Sequence, residues 1–192
     1  MDVRLFVAVE IAEEIRKKLV ELQNELKRAD AEVGWVAPEN FHITLKFIGT
    51  VDEEKMNHII PVIKDSVAHM DSFDLRYKGI GVFPTEKKPR ILFVNVIDSG
   101  GVLTKIHKRL DSQLASLQVK QENRPYDVHL TIGRIKTYRN IKELIEILHL
   151  YDWFNFGSEH ITQVVLMKSV LSSNGPRYTK LHSANLNVTK FI

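Results

Sequence analysis

The sequence predicts an α+β protein made by internal duplication, a bilobal fold whose two pseudo-twofold-related lobes each carry an antiparallel sheet with outer helices and share a cleft between them. Three observations carry that expectation. Leu5-Phe6-Val7-Ala8-Val9 recurs as Leu92-Phe93-Val94-Asn95-Val96, and His42-Ile43-Thr44-Leu45 recurs as His129-Leu130-Thr131-Ile132, both 87 positions further on. Each first strand is followed by a stripe at helical spacing, Ile15, Leu19, Leu22 and Leu26 in one half and Val102, Ile106, Leu110 and Leu114 in the other. A chain of 192 residues without a Gly-, Ser- or Pro-rich linker between its halves fits one domain spanning residues 1–192, not two independent beads.

The elements follow in order. Leu5 to Val9 reads as the first strand and Ile15 to Leu26 as the first helix, after which a polar connection leads to a short apolar strand carrying His42 and Thr44. Glu53 to His69 reads as a helix with Met56, Ile59, Ile60, Ile63 and Val67 on one side; Pro61 inside it predicts a kink or a late start. Phe73 to Phe83 reads as extended, ending in a Phe83-Pro84-Thr85 turn and the basic loop Glu86-Lys87-Lys88-Pro89-Arg90. In the second half, Asn140 to Leu150 reads as a helix and Ile161 to Leu171 as a strand answering the one at Phe73. Ser173-Asn174-Gly175-Pro176 reads as a turn before a last strand from Tyr178 to Leu186.

Composition narrows the function. Hydrophobic residues at 44% and charged residues at 27% describe a soluble globular chain. No apolar run approaches bilayer length, and Leu5 to Val9 is too short for a secretory signal, so cytoplasmic residence is the expectation. The absence of cysteine excludes disulfides, thiolate catalysis and thiolate metal centres. A net charge of +3 is compatible with a nucleic-acid partner without indicating one.

The repeated His-x-Thr elements carry the chemistry. Residues two apart on a strand share a face, so His42 projects with Thr44 and His129 with Thr131. Lobes facing across a twofold would bring two imidazoles and two hydroxyls into one cleft. Imidazole titrates near ~6.5, so one ring can wait as a base and the other as an acid. A phosphodiester needs a proton removed from the attacker, a proton given to the leaving oxygen and donors for the non-bridging oxygens, which the threonines can supply without a metal or other cofactor. A metal reading competes, but no His-Glu-x-x-His is present, and two histidines with two threonines make a poor closed coordination set. Spacing leaves the acid and base roles interchangeable. His58, His69, His107, His149, His160 and His182, which lie outside the repeated element, read as ordinary surface or hydrogen-bonded residues. Lys46, four residues past His42, should share its face, whereas Arg134, five past His129, falls on the opposite face unless the strand ends near Gly133. Arg90 and Arg124 sit beside prolines in loops leading into the repeat elements, and Phe83 at a loop tip could stack on a base or plug the core.

These residues resemble the RNA 2′,3′-cyclic phosphodiesterases, also called 2′-5′ RNA ligases, of the two-histidine phosphoesterase superfamily. The resemblance runs through Arg4 to Val9, Phe41 to Gly49, Gly81 to Pro84, Pro89 to Leu92, His129 to Arg134 and Gly175 to Tyr178. It implies metal-independent opening of a terminal RNA 2′,3′-cyclic phosphate, tRNA fragments among the candidate substrates, to leave a 2′-phosphomonoester. On that resemblance His42 is the proton donor, His129 the acceptor, and Thr44 and Thr131 hold the phosphate. Arg134 matches the basic residue after the second element, and Phe83 and Arg90 match positions that look like nucleotide contacts. Gly133 stands where a small residue, often alanine, is usual in that family. The same site run with an RNA 5′-hydroxyl in place of water would form a 2′-5′ linkage. Two rivals remain: a non-catalytic module that grips RNA ends, and the same chemistry on another small phosphodiester such as ADP-ribose cyclic phosphate or 2′-5′ oligoadenylate. With both half-sites in one chain, a monomer suffices.

Overall fold

The computed structural model describes residues 2–173 and 175–187, with the side chain of residue 53 left aside. Asn174, in the expected turn, lies outside the described residues, as does the chain beyond 187.

Strand β1 (Val3–Glu10) leads through helix α1 (Glu13–Lys27), β2 (Val33–Trp35) and a 3-10 turn (Pro38–Asn40) to β3 (His42–Val51), α2 (Glu53–Val67) and β4 (Phe73–Phe83). The second half supplies β5 (Ile91–Ile97), α3 (Val102–Ala115), β6 (His129–Ile135), α4 (Ile141–His149), β7 (Asn155–Ile161), β8 (Gln163–Ser172) and β9 (Gly175–Asn185). Both expected helix stripes are in place: Ile15, Leu19, Leu22 and Leu26 of α1 and Ile106, Leu110 and Leu114 of α3 are buried. Acidic Glu13 and Glu14 at the start of α1 and Lys27 at its end complement the helix dipole. Helix α2 starts at Glu53, not late, because the Asp52 side chain accepts the Lys55 N–H at 2.6 Å. It runs unbroken through Pro61 to Val67; Pro61 and Asn57, whose carbonyl the proline leaves without its usual donor, are both exposed, so water can take that carbonyl.

The strands form one continuous antiparallel sheet in the order β7-β4-β5-β6-β3-β1-β8-β9, with β2 added beside β6. The order is symmetric about its centre, where β3 and β6 meet at Ile43↔Leu130, residues that the 87-residue offset makes equivalent. The lobes are joined into one sheet, where the sequence predicts one in each, and they exchange strands. β1 of the first half pairs with β8 of the second, which carries β9 on its far side, while β4 of the first half lies between β5 and β7 of the second. Leu5, Val7 and Val9 of β1, Val94 of β5 and the apolar faces of all four helices form the main core on one side of the sheet. On the other side Phe6, Ala8 and Val165 form a smaller buried cluster with Met167 and Tyr178 packed against it.

Candidate active site

The centre of the sheet determines which side chains reach the site. In β3 the pairing with β1 passes from Val7↔Lys46 to Ala8↔Thr44, so Leu45 is an extra residue, and in β6 the pairing with β5 passes from Leu92↔Gly133 to Phe93↔Thr131, so Ile132 is extra. Leu45 and Ile132 are again 87 positions apart. Each β-bulge reverses the alternation after its His-x-Thr element. Lys46 therefore does not share the face of His42: it is 1% exposed, and its ammonium meets Asp111 at 2.5 Å and the Lys120 carbonyl at 2.8 Å. Arg134 is turned into the cavity although β6 continues past Gly133 to Ile135. Phe47, the counterpart of Arg134 in the first half, takes the place expected of Lys46 and is 53% exposed.

His42, Thr44, His129, Thr131 and Arg134 line one cavity of about 220 Å³, with Tyr178 on its wall. A second cavity of about 280 Å³ shares Thr44, Phe47 and His129 and is lined further by Phe83, Phe93, Arg124 and Tyr126. Arg90 is exposed and lines neither; its backbone accepts from the Ile135 N–H at 2.9 Å and donates to Phe83 at 2.8 Å. Its expected place at the site is thus not observed, because those bonds hold it on the rim of the β4–β5 connection.

The two imidazoles are oriented alike. His42 Nδ1–H donates to the Asn40 carbonyl at 2.7 Å, and His129 Nδ1–H donates to the Asp127 carbonyl at 2.8 Å. A carbonyl can only accept, so each Nε2 is left for the cavity. His42 Nε2 lies 3.0 Å from the Thr44 hydroxyl, accepting from it when the ring is neutral and donating to it when the ring is protonated. Asn40 is itself held by donating from Nδ2 to the Pro176 carbonyl at 2.8 Å, which stitches the 3-10 turn to β9. Equivalent phenylalanines flank the rings: Phe6 lies 4.9 Å from His42 and Phe93 lies 5.6 Å from His129, centroid to centroid. Gly81 leaves room for Phe93, since a Cβ there would sit 2.8 Å from that ring. The surroundings of the histidines also differ. Tyr178 adds a perpendicular ring 5.3 Å from His42, and burial holds the His42 pKa below 6.5 against the opposing Asn40 hydrogen bond.

Sequence reasoning missed Asn40, Asp127, Tyr178, Trp35, Phe47 and Tyr126. The offset could have flagged the first two, which precede their histidines by two residues in both halves.

Two strand-borne imidazoles aimed into one cavity, with hydroxyls and a guanidinium beside them, define a phosphoester-handling class of site. A family model described as LigT like phosphoesterase matches residues 9–93 and again 97–178. The chain therefore belongs to the LigT-like phosphoesterases, a family of two-histidine enzymes. It is similar to proteins named RNA 2′,3′-cyclic phosphodiesterase: one from Methanothermobacter thermautotrophicus, 35% identical over 94% of this chain and 97% of the relative, and one from Aquifex aeolicus, 35% identical over 88% and 86%. Among solved structures, TT0787 of Thermus thermophilus superposes with a TM-score of 0.80 at 26% identity, over 97% of this chain and 99% of that one. Apo E. coli LigT shares the fold at TM-score 0.79 and 24% identity, over 96% and 98%.

Proposed function

We propose that this chain opens terminal RNA 2′,3′-cyclic phosphates to 2′-phosphomonoesters without a metal, acting as a single two-lobed domain and as a monomer in the cytoplasm. The observation that carries the reading is the pair of Nδ1-anchored imidazoles lining one cavity with Thr44, Thr131 and Arg134. Water attacks phosphorus as its proton passes to His129 Nε2; the bond from phosphorus to the 3′ oxygen breaks, and that oxygen takes a proton from His42 Nε2. Thr44, Thr131 and Arg134 receive the charge on the non-bridging oxygens. Phe83 and Arg124, in the adjoining apolar cavity, would hold the terminal nucleoside. With an RNA 5′-hydroxyl as attacker the same steps form a 2′-5′ linkage; tRNA fragments are one class of substrate such a site would accept. The relatives named RNA 2′,3′-cyclic phosphodiesterase support the substrate class.

The deciding assay incubates pure protein in EDTA with an oligonucleotide ending in a 2′,3′-cyclic phosphate and identifies the product isomer by phosphatase and nuclease sensitivity. A 2′-phosphate is expected. Stable binding without opening would mean an RNA-end-binding module, and turnover confined to ADP-ribose cyclic phosphate or 2′-5′ oligoadenylate would move the chemistry to another substrate.

The depressed pKa of His42 gives a second expected outcome. A donor must carry its proton, and kcat/KM reports the free enzyme. Hence kcat/KM should fall as pH rises through a pKa below 6.5, placing the descending limb on the acid side of neutrality. A rise over that interval, abolished in His42→Ala, would reassign His42 as the acceptor.

A further inference from the structure

Helices α1 and α3 present almost entirely apolar faces to the core, yet each buries one polar side chain among them. Gln23 is 2% exposed beside Leu19, Leu22 and Leu26, and His107 is 5% exposed beside Leu103, Ile106 and Leu110. Buried amides and imidazoles carry a desolvation cost that a leucine would not. Their partners explain them. Gln23 Nε2 donates to the Ile132 carbonyl at 2.8 Å and to the Val36 carbonyl at 2.9 Å, and His107 Nδ1–H donates to the Leu45 carbonyl at 2.7 Å. Ile132 and Leu45 are the two extra residues of the bulges, and an extra residue leaves the ladder locally disrupted. The ties cross between halves: α1 of the first holds β6 of the second, and α3 of the second holds β3 of the first. The His107 ring also stacks on Tyr126 at 4.2 Å, and the Tyr126 hydroxyl donates to the Thr44 carbonyl at 2.9 Å.

We infer that Gln23 and His107 are positioning residues that hold the two bulges in register, and through them keep Arg134 and Phe47 turned toward the substrate. The Ile132 carbonyl also accepts from the Val36 N–H at 3.0 Å, and Gln23, donating to both the Ile132 and Val36 carbonyls, clamps that pair from the core side. Without the clamp β6 relaxes toward regular alternation, which swings Arg134 out of the cavity. Without the tie at Leu45, β3 does the same to Phe47. This rests on the reading that Arg134 meets the phosphate. Neither residue touches substrate, so their effect should pass through the residue each bulge presents.

A double-mutant cycle tests this. kcat/KM for 2′,3′-cyclic AMP is measured in the wild type, Gln23→Met, Arg134→Ala and the double variant, with folding followed by circular dichroism and urea unfolding. Gln23→Met should lose about tenfold or more when Arg134 is present and less than about twofold when it is absent. The same factor in both backgrounds would overturn the inference and leave Gln23 a purely structural residue. If Gln23→Met does not fold, Gln23→Asn, whose amide is one carbon too short to reach, takes its place. For the other tie, His107→Phe keeps the ring but removes the donor and should lose about tenfold, whereas His107→Asn restores an N–H near Nδ1 and should stay within about threefold of wild type; equal losses would overturn that half. A wild type that turns over neither cyclic AMP nor an oligonucleotide ending in a 2′,3′-cyclic phosphate would instead refute the proposed function. The same Gln23–Arg134 cycle, read on inorganic phosphate affinity, then decides the inference by the same criterion.

Discussion

Alanine at His129 is expected to lower turnover of a 2′,3′-cyclic nucleotide by about 10³-fold while leaving the protein folded, and alanine at His42 to do the same. The magnitude is what a positioned acid or base contributes. The folding expectation has a separate basis. Both side chains are partly exposed to the cavity, and their backbones stay in the sheet through Asn95↔His129 and Glu10↔His42, pairings that do not depend on the imidazoles. His42 packs on Phe6 and Tyr178, so its truncation should also lower stability modestly, by about 1 kcal/mol. Saturating kinetics alongside thermal unfolding separates the two effects. Wild-type kcat in either folded variant would remove two-histidine catalysis from consideration.

The largest expected loss of stability lies behind the site. Lys46 Nζ is enclosed by Asp111 at 2.5 Å, the Lys120 carbonyl at 2.8 Å and Glu122 at 3.6 Å. Removing Asp111 leaves the buried ammonium with only the Lys120 carbonyl and the more distant, partly exposed Glu122, and Asp111→Ala should destabilise by about 3 kcal/mol. Lys46→Met combined with Asp111→Asn should cost less than Asp111→Ala alone, because no charge is then stranded. Urea midpoints at constant m-value would show this. A loss under about 1 kcal/mol for Asp111→Ala would mean that Glu122 and water satisfy the ammonium unaided. The same tie anchors the segment whose Asp127 carbonyl orients His129, so the unstable variant should lose kcat before it loses its fold.

The repeat was legible because side-chain identity carries it: a His and a Thr at one offset are not demanded by strand propensity. Helix faces were legible because burial imposes a period of 3.6 residues on sequence. The bulges were not, because the pairing of β3 with β1 and of β6 with β5 creates them, and nothing within His42-Ile43-Thr44-Leu45-Lys46 encodes that pairing. Face parity then failed twice in opposite directions, placing Lys46 in the cleft and Arg134 outside it. β7 went unread because Gly157, Ser158, Glu159 and His160 lack strand character; its pairing with β4 from Phe73↔Ile161 to Lys78↔Asn155 holds it extended. Strand exchange was also hidden, since a repeat says which segments are alike but not which lie side by side.

Duplication would ordinarily yield a cleft with two indistinguishable ends, in which a bound molecule could lie either way round. The equivalence of Phe47 with Arg134 breaks that degeneracy at the rim. One mouth offers a cation and the other a flat hydrocarbon ring, so a ligand with an anionic head and an aromatic tail would enter in one heading. Rings with matching backbone anchors would then face different atoms of it, and the division of labour between them would come from the guest's heading as much as from their own environments.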